Sequence, residues 1–253
     1  ATRSAMGCCL DGKNVYTTLS NDSRSICEVY SLKTDSQGNY SNPEKMNIWQ
    51  ITPNVSNPVI SHDGTFALLR ISETGKDPDL YISRKDTQGN WQKPVPLPEN
   101  INTEIDQYYP ELTAENDLYY SSNGDVYFSE YKNGHWQNPV PLNQLNTKDF
   151  SESNIAISRD GKWLVFLSNR TGVYGAYDLF ICKKENGKWS EPVNMCPKIN
   201  TNAMEYQPRF SLDNKKLYFT RSVFTDGKRQ GKDQVMEVQI SDLLSKWQSL
   251  SPD

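Results

Sequence analysis

Carboxylates are the residues of this chain whose placement could support chemistry. Glu152 and Glu205 fall at the same place in a recurring unit, three residues before the start of its first strand. Gln107 holds that place in another copy, with Asp106 beside it, and Asp149 and Glu104 lie a little further out. Tyr108, Tyr109 and Tyr206 follow at once, and Arg170 and Tyr174 belong to a loop on the same face. Acids gathered this way can cap backbone amides or pair with a neighbouring Arg or Lys. They can bind a cation or the basic group of a partner. Two of them could also act as acid and base on a glycosidic bond, at separations of about 5–5.5 Å for retention or about 6.5–9.5 Å for inversion. A dyad needs distinct environments to split its two pKa values. Glu152 and Glu205 are repeat equivalents, which speaks for a structural habit of the repeat and against a dyad.

Little else in the chain suggests chemistry. His62 and His135 both sit in turns and lack a Cys, Asp or His companion. There is no Gly-x-Ser-x-Gly elbow, Gly-rich phosphate loop, calcium-loop pattern or dinucleotide fingerprint. The five cysteines (Cys8, Cys9, Cys27, Cys182, Cys196) show no metal-ligand spacing, and their odd number leaves at least one thiol free. They read as small hydrophobes on strands. No catalytic residue, metal ligand or cofactor is therefore assigned.

The elements that must position the acids come from one repeated unit, most complete at residues 151–208. Three β-rich runs are joined by Arg159-Asp160-Gly161-Lys162 and Glu185-Asn186-Gly187-Lys188. Asx-Gly pairs between such runs signal hairpins, because tight turns need positive φ. A fourth run contains Pro192, which lacks an amide donor and so belongs at a sheet edge. The unit is thus a four-stranded antiparallel sheet, A to D from inside to outside. Its A–B marker recurs at Asp11-Gly12, Asp63-Gly64, Glu115-Asn116 and Asp213-Asn214, and its C–D aromatic at Tyr40, Trp91, Trp136, Trp189 and Trp247. The markers keep step at about 45–58 residues, the period of propeller blades. The expected fold is an all-β, five-bladed β-propeller in one domain, with blades at about 1–48, 49–105, 106–149, 150–203 and 204–253. Blade three has only a bare Ser122-Asn123-Gly124 hairpin between B and C. Blade five has a long basic B–C segment, Ser222 to Asp233, and ends on a strand D match at Lys246-Trp247.

Composition narrows the partners. The net charge of −4 comes with dispersed Lys and Arg, so nothing favours nucleic acid. No apolar run approaches the roughly 18 residues of a membrane helix. The opening Ala1-Thr2-Arg3-Ser4 does not decide whether a leader was removed, and a lost flanking domain is compatible with the sequence.

These signatures resemble the TolB-type, WD-like β-propeller repeat of bacterial envelope and secreted proteins. The fourth unit carries the pattern most fully, with Asp160-Gly161-Lys162, Ser168-Asn169-Arg170, Asp178-Leu179, Trp189 and Ile199-Asn200-Thr201. The second has Asp79-Leu80-Tyr81 and Ile101-Asn102-Thr103, and the third Leu145-Asn146-Thr147. The resemblance spans essentially the whole chain. It implies a periplasmic, outer-membrane-associated or secreted location and a non-catalytic role in protein or peptide binding. A glycan-binding or glycosidase-type propeller is the alternative. Ligand contacts are expected on the face shared by the D–A and B–C loops, near the channel mouth. The candidates are Asp106, Tyr108, Tyr109, Glu152, Glu205, Tyr206, Arg170 and Tyr174, with the acids selecting a basic group.

Overall fold

The computed structural model describes residues 4–10, 14–21, 26–33, 35, 41–73, 77–211 and 213–240, with the backbone alone for 4–10 and 232. The described residues form strands and turns without a helix. The first unit comprises β1 (Ser4–Leu10), β2 (Asn14–Ser20), β3 (Cys27–Lys33) and β4 (Glu44–Lys45). The second comprises β5 (Asn54–Ile60), β6 (Phe66–Ser72), β7 (Asp79–Arg84) and β8 (Val95–Pro96). The third runs through β9 (Tyr108–Leu112), β10 (Leu118–Ser122) and β11 (Asp125–Ser129). A small hairpin, β12 (Tyr131–Lys132) and β13 (His135–Trp136), precedes its outer strand β14 (Val140–Pro141).

The fourth unit has β15 (Glu152–Ile157), β16 (Trp163–Ser168), β17 (Asp178–Glu185), the short β18 (Lys188–Trp189) and the outer β19 (Val193–Asn194). The fifth shows β20 (Met204–Phe210), β21 (Lys216–Thr225) and β22 (Lys228–Gln239). Pairing within every unit is antiparallel, and one parallel bridge, Cys27 to Asn54, joins the first unit to the second. Contact passes from β1 to β5, β9, β15 and β20 in turn, and returns from β20 to β1. Three markers lie outside the described residues: the turn at Asp11-Gly12-Lys13, the turn at Gly38-Asn39-Tyr40, and the outer-strand match at Lys246-Trp247.

Middle strands are apolar on both faces. All six residues of β16 are buried, as are five of the seven in β6. The apolar side chains accordingly gather between consecutive units. Val29 and Tyr16 meet Val55 and Leu69, and Leu68 and Leu80 meet Leu112 and Leu118. Further along, Tyr119 and Val126 meet Leu164 and Phe166, and Leu167 and Leu179 meet Leu217 and Phe219. Each tryptophan after the third strand turns back onto an aromatic of the preceding unit. Trp91 lies edge-on to Tyr16 at 6.2 Å, Trp136 to Phe66 at 5.9 Å and Trp189 to Tyr119 at 6.4 Å. The Trp136 indole also donates to the Asn116 carbonyl at 2.8 Å, so its polar end is satisfied where its ring is buried.

The two kinds of turn differ chemically. The C–D turns of the third and fourth units are two-residue hairpins with positive φ at Asn133-Gly134 and Asn186-Gly187, as Asx-Gly pairs allow. The A–B turns are longer and are stapled by a Ser-x-Asp clasp instead. Ser158 donates to Asp160 at 2.6 Å, and Ser61 and Ser211 make the same bond to Asp63 and Asp213. The B–C segment of the fifth unit is not a loop. It continues the ladder of β21 and β22 to a turn at Asp226-Gly227, where both residues take positive φ.

Removing a buried indole deletes its transfer energy and leaves a cavity. Trp136→Ala lowers unfolding free energy in urea by about 3–5 kcal/mol, whereas the half-buried Trp91 costs less on truncation.

Candidate functional site

The strand starts bring the predicted site residues to one end of the molecule. The strands begin at Glu152 and Met204, so Glu152 opens its strand and Glu205 is second in its own, not three residues ahead of it. Both carboxylates are fully buried. Glu152 accepts the Thr147 amide at 2.9 Å and the Thr147 hydroxyl at 3.1 Å, along with the Ser168 hydroxyl and the Arg170 guanidinium. Glu205 repeats the set with the Thr201 amide at 3.1 Å, the Thr201 hydroxyl at 2.7 Å and Arg221 at 2.7 Å. Each arginine spends another N–H on the carbonyl of the preceding loop, Leu145 for Arg170 and Ile199 for Arg221. Gln107 takes the equivalent place in the third unit and donates to Thr103 and Ile105. These groups tie each D–A loop to its strand. The asparagine of each Ile/Leu-Asn-Thr sequence completes the tie, bonding both backbone groups of Leu80, Val126 or Leu179. A ligand therefore meets neither Glu152 nor Glu205 directly.

The fourth-unit B–C loop is held in the same manner. Asp178 accepts the Tyr174 amide, the Gly175 amide and the Asn194 side chain. Gly175 packs so closely that a Cβ there would lie 2.1 Å from the Ala203 carbonyl. Tyr174 itself is half exposed on this end of the molecule.

Tyr108, Tyr109 and Tyr206 come together around a cavity of about 260 Å³ on the axis between the first strands. Four residues in equivalent places reach into it: Asn57, Tyr109, Asn154 and Gln207. All four have φ of 50–52° and sit where the first strand slips register against the second. Each is a β-bulge, which bends the strand and re-aims a side chain. A bulky residue at positive φ is costly, of the order of 1–2 kcal/mol, and such strain gathers at functional sites. The bulges are also linked sideways, for the Asn57 amide donates to Thr18 and the Gln207 amide to Asn154. One layer deeper, Arg209 pairs with Glu111 at 3.2 Å and donates to the Ile155 carbonyl, bridging the third, fourth and fifth units under the cavity.

The charged side chains at the cavity are arginines. Arg229 is paired with Asp233 at 3.2 Å. Arg70 makes only long contacts, 3.5 Å to Asn54 and 3.4 Å to Ser56, and lies over the Tyr108 ring at 5.3 Å. Burial pulls its pKa down, opposed by Tyr109, Cys27 and Asp106. Sequence reasoning overlooked Arg70, Asn57, Asn154 and Gln207. A readable signal was the proline after three of the bulges, Pro58, Pro110 and Pro208, because proline inside a paired strand marks a bulge. Cys27 lines the cavity and is buried, as is Cys182. His62 is exposed in a turn and His135 is exposed at the start of β13, both at the opposite end. Among the described residues no three His, Cys, Asp or Glu gather as metal ligands.

The chain matches no protein-family model and no curated protein. Its likeness is to solved structures. It superposes on a structure described as TolB of Agrobacterium tumefaciens with a TM-score of 0.63 and 17% identity, over 95% of this chain and 78% of that one. A thermostable family-43 glycoside hydrolase gives 0.61 and 9%, over 94% and 90% of the two chains. An α-L-arabinofuranosidase of Lactobacillus brevis gives 0.57 and 16%, over 93% and 89%. At these identities the likeness defines a fold. The chain is a β-propeller.

Removing one partner of a buried ion pair strands the other. Glu152→Ala, which leaves Arg170 without its carboxylate, lowers stability in urea by about 3–5 kcal/mol.

Proposed function

We propose that this chain is a five-bladed propeller that serves as a non-catalytic recognition domain of the TolB type. It binds a protein or peptide at the end where the axial cavity opens, in a periplasmic, outer-membrane-associated or secreted setting. The observation that carries this reading is the cavity wall. It presents three tyrosines, Tyr109 among them at a bulge, and three further bulge residues, and no Asp or Glu is among its described lining residues. Tyrosine offers large contact area with few torsions to freeze. Glycosidic hydrolysis by the usual route needs two carboxyl groups flanking the bond, and the two acids nearest the strand starts are committed to Arg170 and Arg221. Five closed blades accord with the contact of β20 back onto β1.

Exposed apolar side chains extend the same surface. Ile26, Ile105, Tyr174 and Phe224 are each 44–51% exposed and all lie at the strand-start end. Loops on a rigid scaffold are where recognition concentrates. Asp106, beside the cavity, adds an acid at its rim, while Glu152, Glu205 and Arg170 act by positioning the loops. The bare hairpin at Asn123-Gly124 leaves the rim lowest over the third blade, and an extended segment enters there.

Asn stands at the bulge position in two other units, so Tyr109→Asn removes the ring while keeping the backbone. Its melting temperature is expected to equal or exceed that of the parent. Capture of a partner from envelope extract should fall with Tyr109→Asn and persist with His135→Ala at the opposite end, with a glycan array blank. Capture that survives Tyr109→Asn and fails with His135→Ala would place the site at the wrong end. Hydrolysis of aryl glycosides would overturn the non-catalytic reading.

A further inference from the structure

The arginines near the axis are not alike. Arg170 and Arg221 are each bonded to a buried glutamate, and Arg209 and Arg229 are each paired with an acid. Arg70 has no carboxylate of the described residues within ion-pair distance, although it lines the cavity. Its unit is the one in which Val55 replaces the Glu or Gln of the other three. Across the ladder, the residue opposite the one before each bulge is Arg70, Ser121, Leu167 and Thr220 in the second to fifth units. A guanidinium has thus been placed where the repeat does not call for one. Taking a charge out of water without a partner is unfavourable, so its presence at the cavity points to a ligand that supplies the counter-charge.

A second group in the cavity also lacks its partner. Gln207 is only 6% exposed, lines the cavity, and its Oε1 accepts no hydrogen bond. The site therefore offers a cationic fork at one wall and an open acceptor at another, with the Asn57 and Asn154 side chains between them. The Tyr108 ring under the guanidinium limits the orientations of the fork. A guanidinium engages a carboxylate through two parallel bonds, and an open amide oxygen takes an N–H. A peptide carries both groups. Free phosphate carries no donor of that kind at neutral pH beyond its residual proton.

We propose that the axial cavity captures a carboxylate borne by a peptide segment, with Arg70 holding the carboxylate and Gln207 Oε1 receiving an adjacent peptide N–H. The proposal rests on the reading of this cavity as the recognition site and specifies its ligand. A carboxylate can be a chain terminus or an Asp or Glu side chain. Asp106, Tyr109 and Cys27 are the titratable groups whose fields reach Arg70. Asp106 at the rim disfavours acids bound outside the reach of Arg70, and so favours entry deep enough to meet it.

The test uses the described chain with four peptides: acetyl-trialanine as acid and as amide, and acetyl-Ala-Asp-Ala-amide beside its Asn counterpart. Inorganic phosphate is the fifth probe. Binding is read from the NMR shifts of the Asn57, Asn154 and Gln207 side-chain amides, up to millimolar concentrations. Binding of the trialanine acid over its amide identifies a chain terminus, and binding of the Asp peptide over its Asn counterpart identifies a side chain. Either outcome supports the proposal, provided that Arg70→Gln weakens it by about tenfold or more, as expected for loss of a charge-assisted bond. Arg70→Lys keeps the charge but not the fork and should recover only part of the affinity. Equal binding of acids and amides, phosphate binding without any peptide preference, or no shift with any probe overturns it. So does undiminished binding by Arg70→Gln when its melting temperature matches the parent. A partner whose capture depends on Tyr109 but ignores Arg70→Gln would sink this inference alone, leaving the recognition reading in place.

Discussion

A sheet that is apolar on both faces must be covered twice. That constraint governs this molecule, because β6, β7, β10, β16 and β17 bury side chains on both sides. No unit can satisfy it alone, and each contributes half of a core shared with its neighbour. The tryptophans reinforce the arrangement by reaching back from the third-strand turn of one unit to an aromatic of the unit before it. Stability is accordingly distributed over interfaces between units, as in other repeat architectures.

Bringing units together in this way crowds their first strands on the axis. In the second to fifth units the bulges relieve the crowding by bending the first strand, at the cost of a left-handed backbone at a residue other than glycine. Asn tolerates that conformation better than most residues, and a tyrosine there is costlier. Tyr109 stands there nonetheless, and its ring lines the cavity beside Tyr108. Further along the same strands, Arg209 pairs with Glu111 and bonds the Ile155 carbonyl, linking the fifth unit to the third and fourth.

Charge is divided between two tasks. The Glu152–Arg170 and Glu205–Arg221 pairs are saturated by loop amides and hydroxyls, so they define loop geometry rather than contact solvent. A buried pair of this kind is weak evidence for net stability, since desolvation offsets attraction. Its use here is to fix where Tyr206 and the loop ends stand, as Gln107 does for Tyr108. Arg70 lacks such a partner, which sets the second unit apart and gives the pocket its polarity.

Much of the architecture was legible in the residues alone. Two-fold alternation and paired runs identify strands by side-chain direction, and Asn186-Gly187 or Asn133-Gly134 locate hairpins because few other residues accept positive φ. Repetition of the aromatic marker and of the Asp-Gly turn set the order of units, since equivalent residues meet equivalent neighbours. The three tyrosines were also within reach, because they flank the strand starts. What required the folded molecule was the state of each charge. From sequence, Glu152 and Glu205 resemble free acids at a channel mouth. Burial and partners lying 16 to 18 residues away, Arg221 and Arg170, decide otherwise. Arg70 was invisible for the converse reason: its significance is the lack of a partner, and partnership depends on distances in space. The bulges are marked in the sequence at three places by Pro58, Pro110 and Pro208, but their convergence on one cavity brings together strands far apart in the chain, which a local pattern of residues does not encode.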